Sequence, residues 1–219
     1  MDIVAITDLH GHREAVERAS GVFEAADLVV ITGDITHFGR EREAKEVIDA
    51  VTARCTKLLA VPGNCDYPEV GSFLAKAGCS IDLHCIEIEG LIIAGIGGSL
   101  PCPGMTPNER SEDEFTTVLD EIKKQLPSRR LDLFISHQPP WNTRCDLAHG
   151  GTHVGSRTIR RFVEEVKPAV CLTGHIHEAT GEDRIESTVV ANPGPLILGG
   201  YTNVIITAGK VTVKIMKAF

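Results

Sequence analysis

Carboxylate, amide and imidazole side chains gather at five places in this chain: Asp8-Leu9-His10, Gly33-Asp34, Gly63-Asn64-Cys65-Asp66, His137-Gln138 and Gly174-His175-Ile176-His177. Each follows a short apolar run: "IVAIT", "LVVIT", "LLAVP", "LDLFIS" and "AVCLT". Brought together, Asp8, His10, Asp34, Asn64, His137, His175 and His177 form a set that is costly to bury without a counter-charge, and a bound cation is the natural compensation. One ion leaves ligands over. Two divalent ions sharing one bridging carboxylate use all seven residues, four to each ion, and Asp34 is the natural bridge. Imidazole, carboxylate and amide without thiolate suit Mn, Fe, Co, Ni or Zn better than Ca, which wants oxygen, or Cu(I), which wants sulfur.

Convergence depends on the elements that carry these residues. The apolar runs read as strands over 2–6, 28–32, 57–61, 91–96, 131–136 and 169–173, alternating with helix-like stretches at about 12–25, 40–53, 68–77, 111–125 and 156–166. Ligands of open α/β sheets bind beyond the carboxyl ends of the strands, so clusters at five equivalent ends should meet. Asp8 and His10, like His175 and His177, are two apart, and in extended chain such side chains point the same way. The glycines at 33, 63 and 174 permit sharp turns and close approach.

Ser111 with Glu114 has capping-box spacing, Ser156 is a helix start, and Lys167-Pro168 is a stop. In the final third, "IESTVVAN", "TNVIITA" and "KVTVKIM" read as an antiparallel meander with a hairpin turn at Ala208-Gly209. Parallel strands followed by antiparallel ones suggest two packed sheets with helices outside, an α/β class. "GGSLPCPGMTPNE", residues 97–109, is too apolar for a linker and is a candidate lid.

Composition bounds the rest. At 219 residues, 42% hydrophobic and 24% charged, the expectation is one globular domain over 1–219. No apolar run is long enough to span a bilayer, and the N-terminus lacks the pattern of a secretory leader. Seven scattered cysteines without a C-x-x-C pair fit a reducing cytoplasm. A net charge of -8 disfavours nucleic acid and anionic lipid as partners, and a homo-oligomer stays open.

The five blocks, in order, resemble the signature of the calcineurin-like metallophosphoesterases: D-x-H, G-D, G-N-H-D or a variant, a lone His after a strand, and G-H-x-H. "NPGP" at 192–195 is similar to the family's N-P-G-S. The resemblance implies a four-layer α-β-β-α sandwich of two mixed sheets. It implies one ion on Asp8, His10, Asp34 and His177, and another on Asp34, Asn64, His137 and His175. Asn64 would bind through its amide oxygen, and Asp66 would orient a neighbour. Manganese is placed first among the metals. Cys65 departs from the family pattern, standing where many members have His; it is either loop filler or a proton donor. His149 and His153 in "AHGGTHVGS" are candidates to stand in as acid, and Arg144, Arg157 and Trp141 are weaker candidates for substrate contact. His37 reads as a surface residue.

By the same resemblance the expected activity is hydrolysis of a small phosphate ester, a diester before a monoester, by attack of a metal-bridging hydroxide. The alternatives are a metal-retaining scaffold that binds a protein partner, and a nuclease for short single strands.

Overall fold

The computed structural model describes residues 1–127, 130–207 and 210–219. Along the first half run β1 (Asp2–Ile6), α1 (Arg13–Arg18), α2 (Ser20–Glu24), β2 (Leu28–Ile31), α3 (Glu41–Thr52), β3 (Leu58–Ala60), α4 (Pro68–Lys76), β4 (Cys85–Ile88), β5 (Leu91–Ile96) and α5 (Glu112–Gln125). They are followed by β6 (Leu133–Ser136), β7 (Leu147–Ala148), β8 (Thr152–His153), α6 (Arg157–Val166), β9 (Val170–Leu172), β10 (Gly181–Ile185), β11 (Thr188–Asn192), β12 (Gly200–Thr207) and β13 (Lys210–Lys217).

Strand alternation explains the layering, because successive side chains point to opposite faces. Ile3, Ala5, Leu28, Val30, Leu59 and Val61 meet Ile93, Leu133, Ile135, Val170 and Leu172 in one buried cluster between the sheets. The intervening Val4, Ile6, Val29 and Ile31 face outward onto Ala44, Val47, Ile48 and Val51 of α3. On the far side, Ala94, Phe134 and Cys171 pack on Phe115, Leu119 and Ile122 of α5 and Ile159, Phe162 and Val163 of α6. Three apolar interfaces separate four layers, and strands buried on both faces must be apolar throughout, as these are.

The first sheet has the order β13-β12-β1-β2-β3 and the second β10-β11-β9-β6-β5-β4. β1, β2 and β3 are parallel, as are β5, β6, β9 and β11, while β4, β10, β12 and β13 join antiparallel. Both sheets are therefore mixed, and the expected C-terminal meander is corrected. Ile185–Asn192 breaks at Glu186, whose φ of 50° is left-handed, so this stretch supplies the end of β10 and all of β11 to the second sheet. Only β12 and β13 form a hairpin in the first sheet, and Ala208-Gly209 lies outside the described residues. The helix expected at 12–25 is two short helices parted at Ala19. β4, β10 and the β7–β8 ribbon were not anticipated.

The helix ends follow the sequence signals. Ser111 and Glu114 form the capping box, and Lys167, at φ 55°, ends α6 before Pro168. Ser156 caps α6 by accepting from Ile159 N at 3.1 Å, and its hydroxyl donates to Glu112 of α5 at 2.6 Å. The same carboxylate accepts from Arg157 N and Thr158 N, so α5 closes the start of α6. Ser156→Ala is expected to lower stability by about 1–2 kcal/mol. Urea unfolding at unchanged m-value checks this.

Candidate metal centre

The carboxyl ends of β1, β2 and β3 meet those of β6 and β9 at one edge of the seam between the sheets. The loops leaving β1 and β2 run side by side, with Asp8 N donating to Gly33 O at 3.1 Å and His10 N to Asp34 O at 2.9 Å. Asp8, His10, Asp34 and His175 all have positive φ, at 52°, 46°, 49° and 69°. Non-glycine residues there cost about 1–3 kcal/mol each, and such strain clusters at functional sites. This corrects the extended-chain argument: the paired residues converge because the chain turns sharply.

The glycines make room. A Cβ on Gly33 would lie 2.6 Å from His137 Cγ, one on Gly63 2.6 Å from Asp34 Cγ, and one on Gly174 2.9 Å from Asp8 Oδ2. Asp66, fully buried, accepts from Ile35 N, Thr36 N, Thr36 Oγ1 and Gly63 N at 2.7–3.1 Å, tying the Asp34 loop to the Asn64 turn. Asn192 of "NPGP" donates to Ile176 O at 2.8 Å and so holds the loop carrying His175 and His177.

The seven side chains come together. His10 Nε2 lies 3.2 Å from His177 Nε2 and 3.7 Å from Asp34 Oδ2, and His177 Nε2 lies 3.3 Å from Asp8 Oδ1. His137 Nε2 lies 2.9 Å from Asn64 Oδ1 and 3.4 Å from Asp34 Oδ1. His175 N donates to Asp8 Oδ2 at 3.2 Å, and its ring centroid is 5.2 Å from that of His137. Asp8, Asp34, Asn64 and His137 are buried, His10 and His175 half-buried, and His177 opens to solvent.

The donor set fits cations. His137 Nδ1 is 2.8 Å from Thr32 O, which can only accept, so Nδ1 donates there and Nε2 is turned toward Asn64 Oδ1 and Asp34 Oδ1. Among the described residues the buried Asp8 Oδ1 and His10 Nδ1 make no well-aligned hydrogen bond, and Asp8 Oδ1 has His177 Nε2 beside it at 3.3 Å. Two carboxylates and an amide oxygen gathered among these imidazoles favour positive charge at their centre, which bound cations would supply.

Burial pushes the Asp34 carboxyl up to about 7, with Asp8 and Asp66 adding to it against the pull of His137. Burial also pushes Asp8 upward, but the surrounding His177, His137 and His10 outweigh it and hold Asp8 at about 2. Desolvation lowers His10 to about 4 and His175 to about 3, keeping both imidazoles neutral as ligation requires. His177, beside Asp8, is shifted up.

Cys65 and His37 adjoin this cluster. Cys65 N donates to Asp34 Oδ1 at 2.8 Å, and burial together with the Asp34 charge drives its thiol far up, so it stays protonated. His37, read from sequence as surface, is exposed and also packs edge-on against His10 at 5.5 Å, within reach of Cys65. His37 and His10 line a cavity of about 240 Å³ with Gly11, Arg13, Thr36 and the acids Glu43 and Glu46. Its one sequence signal was its place just after Gly33-Asp34.

His149 and His153 belong to the β7–β8 hairpin, and their side-chain contacts among the described residues are with Glu178, Asp146 and Trp141, not with the seven. His149 is 91% exposed, with Nε2 3.7 Å from Glu178, and His153 Nδ1 lies 2.7 Å from the buried Asp146. The Arg157 guanidinium lies 3.8 Å over the half-buried Trp141 ring, and Arg144 N donates to Asp183. The 97–109 segment is fastened against the Asn64 turn: Asn108 N donates to Asn64 O at 3.1 Å and Asn64 Nδ2 to Thr106 Oγ1 at 3.1 Å. Thr106 and Glu109 carry no spacing signal and went unnoticed in the sequence.

Residues 1–179, which contain all of these blocks, match the family described as calcineurin-like phosphoesterase. The chain belongs to that family. Membership makes the protein a metal-dependent phosphoesterase of the hydrolase class. An uncharacterized protein of Methanocaldococcus jannaschii, MJ1162, is 41% identical over 199 residues, covering 89% of this chain and 88% of that one. Among solved structures, TT1561 of Thermus thermophilus superposes with a TM-score of 0.75 at 18% identity, covering 100% of this chain and 99% of the other. A dimetal phosphatase from Danio rerio gives 0.66 at 13% identity, covering 100% and 96%. These two likenesses establish the metallophosphoesterase fold, the two mixed sheets flanked by helices described above. Among the described residues, no helix is long and apolar enough to cross a membrane.

Asp66→Ala would strand the donors that its carboxylate serves. The expected loss is at least ~3 kcal/mol in the metal-free protein, since each unsatisfied buried donor costs roughly 1–3 kcal/mol. Chemical denaturation measures it, and a change inside ~0.5 kcal/mol would contradict the structural role, being the scatter of an ordinary surface substitution.

Proposed function

We propose that the protein hydrolyses small phosphodiesters at a centre of two divalent ions, manganese first among them. Asp8, His10, Asp34 and His177 would hold one ion, and Asp34, Asn64, His137 and His175 the other. The observation that carries this reading is the convergence of His137 Nε2 on Asn64 Oδ1 and Asp34 Oδ1, at 2.9 and 3.4 Å, beside the fully buried Asp8 carboxylate. When bound, a pair of such ions acidifies a shared water and neutralises charge on phosphoryl oxygens.

The chain's own residues supply position and exclusion. Asp66 and Thr32 lock the loops and rings, leaving the ligands little freedom, and the buried floor of Asp8, Asp34 and His137 keeps bulk water from the far side. A cavity of about 240 Å³ suits a small ester better than a long strand. Its wall bears Glu43 and Glu46 against the single Arg13, which disfavours the second negative charge of a monoester relative to a monoanionic diester. For the leaving-group proton, Cys65 holds its hydrogen too firmly, and His153, oriented through Asp146, is the proposed donor. The free cysteines support work in a reducing compartment, the cytoplasm.

Manganese-loaded protein is expected to turn over bis-p-nitrophenyl phosphate with a higher kcat/KM than p-nitrophenyl phosphate. Asp34→Asn is expected to cut turnover by about 100-fold or more while the fold persists by circular dichroism. No turnover of either ester under Mn, Fe, Co, Ni or Zn would contradict catalysis, and full activity in Asp34→Asn would contradict the bridge.

A further inference from the structure

A side-chain amide is nearly symmetric in shape, yet its two ends are opposite in charge. Asn64 can serve a cation only with Oδ1 toward His137; turned over, it would present its NH2 donors to the ion and to the His137 side. Packing alone discriminates poorly between two ends of almost equal size, so something polar must choose.

The choice is made from the 97–109 segment. Asn64 Nδ2 donates to Thr106 Oγ1 at 3.1 Å and approaches Cys65 Sγ at 3.5 Å. Thr106 Oγ1 is 2.8 Å from Glu109 Oε1, and a carboxylate only accepts, so the Thr106 hydroxyl hydrogen is committed there. What Thr106 turns toward Asn64 is therefore a lone pair. It accepts from Nδ2 and would repel Oδ1.

Glu109 is itself fixed. Its Oε1 also accepts from Thr106 N at 2.7 Å, Cys102 N at 3.2 Å and the Cys102 thiol at 3.2 Å. Burial acts to raise its carboxyl, but these hydrogen bonds outweigh it and hold it at about 2, which keeps it an acceptor. The backbone moves with the side chains, because Asn108 N donates to Asn64 O at 3.1 Å and Asn108 Nδ2 to Gly63 O at 2.9 Å.

We propose that Thr106, its hydroxyl hydrogen held by Glu109, is a positioning residue that fixes the Asn64 amide with its oxygen toward the His137 side of the metal centre. The proposal rests on the reading of Asn64 as a ligand. It gives the segment suspected of being a lid a different task, that of orienting one ligand of one ion from behind. The ion on Asp8, His10 and His177 has no share in this chain of contacts.

Calorimetric titration of the metal-free protein with manganese alone tests it, using wild type, Thr106→Val, Thr106→Ala, Thr106→Ser and Asn64→Ala. In Thr106→Val and Thr106→Ala one of two affinities is expected to fall by about 10–100-fold, the usual effect of losing a partner behind a ligand, and the other to stay within about threefold. Thr106→Ser keeps the hydroxyl and is expected to restore both. Valine matches threonine in shape, and alanine provides a second truncation should valine fail to fold by thermal melt. Unchanged affinities in both truncations, with Asn64→Ala weakened, would overturn the role of Thr106 and leave Asn64 a ligand. Unchanged affinities in Asn64→Ala would overturn the reading underneath.

Discussion

His137 reaches from the second sheet to the first. Its Nδ1 hydrogen meets the Thr32 carbonyl at the end of β2, and its Nε2 is turned toward Asn64 Oδ1 and Asp34 Oδ1, both carried by the first sheet. The ring is fully buried, and neither its tautomer nor its direction is free to change without leaving that carbonyl unpaired. His137 Nε2, Asn64 Oδ1 and Asp34 Oδ1 therefore meet across the seam that joins the two halves of the molecule. Under the proposed reading, a cation held by these groups would tie the two sheets together at this end of the sandwich.

Much of the surrounding structure serves that arrangement. Asp8, His10, Asp34 and His175 occupy left-handed backbone that their side chains disfavour, and Gly33, Gly63 and Gly174 stand where any Cβ would strike His137, Asp34 or the Thr7-Asp8 pair. The strain persists because the loops are over-determined: Asp66 joins two of them, "NPGP" holds a third, and the Thr106–Glu109 pair backs the Asn64 turn. The apolar layers supply the rigid platform, since strands packed on both faces cannot shift the loop origins independently.

The sequence made the platform legible where periodicity was strong. Unbroken Val, Ile and Leu runs located β1, β2, β3, β5, β6 and β9, and ligand-type residues at their carboxyl ends identified the seven that converge. It was less informative where local signals conflict. "IESTVVAN" looks like one strand because Glu186, which breaks it, has no glycine to advertise its left-handed turn. Assignment of β11 and β12 to different sheets depends on tertiary pairing, and no dipeptide encodes that. His37 had only its closeness to Gly33-Asp34 as a signal and Thr106 had none, and both reach the site through folded loops that the packed structure reveals. The reason given for the i,i+2 pairs was also wrong in kind: sharp turns, and not extended chain, bring them together.

The central claim is that two cations share Asp34. A crystal of manganese-loaded protein, measured at the manganese absorption edge, should give two anomalous peaks about 3.5–4 Å apart flanking the Asp34 carboxylate. One should contact Asp8, His10 and His177 and the other Asn64, His137 and His175. A single peak, or none near Asp34, would contradict the account.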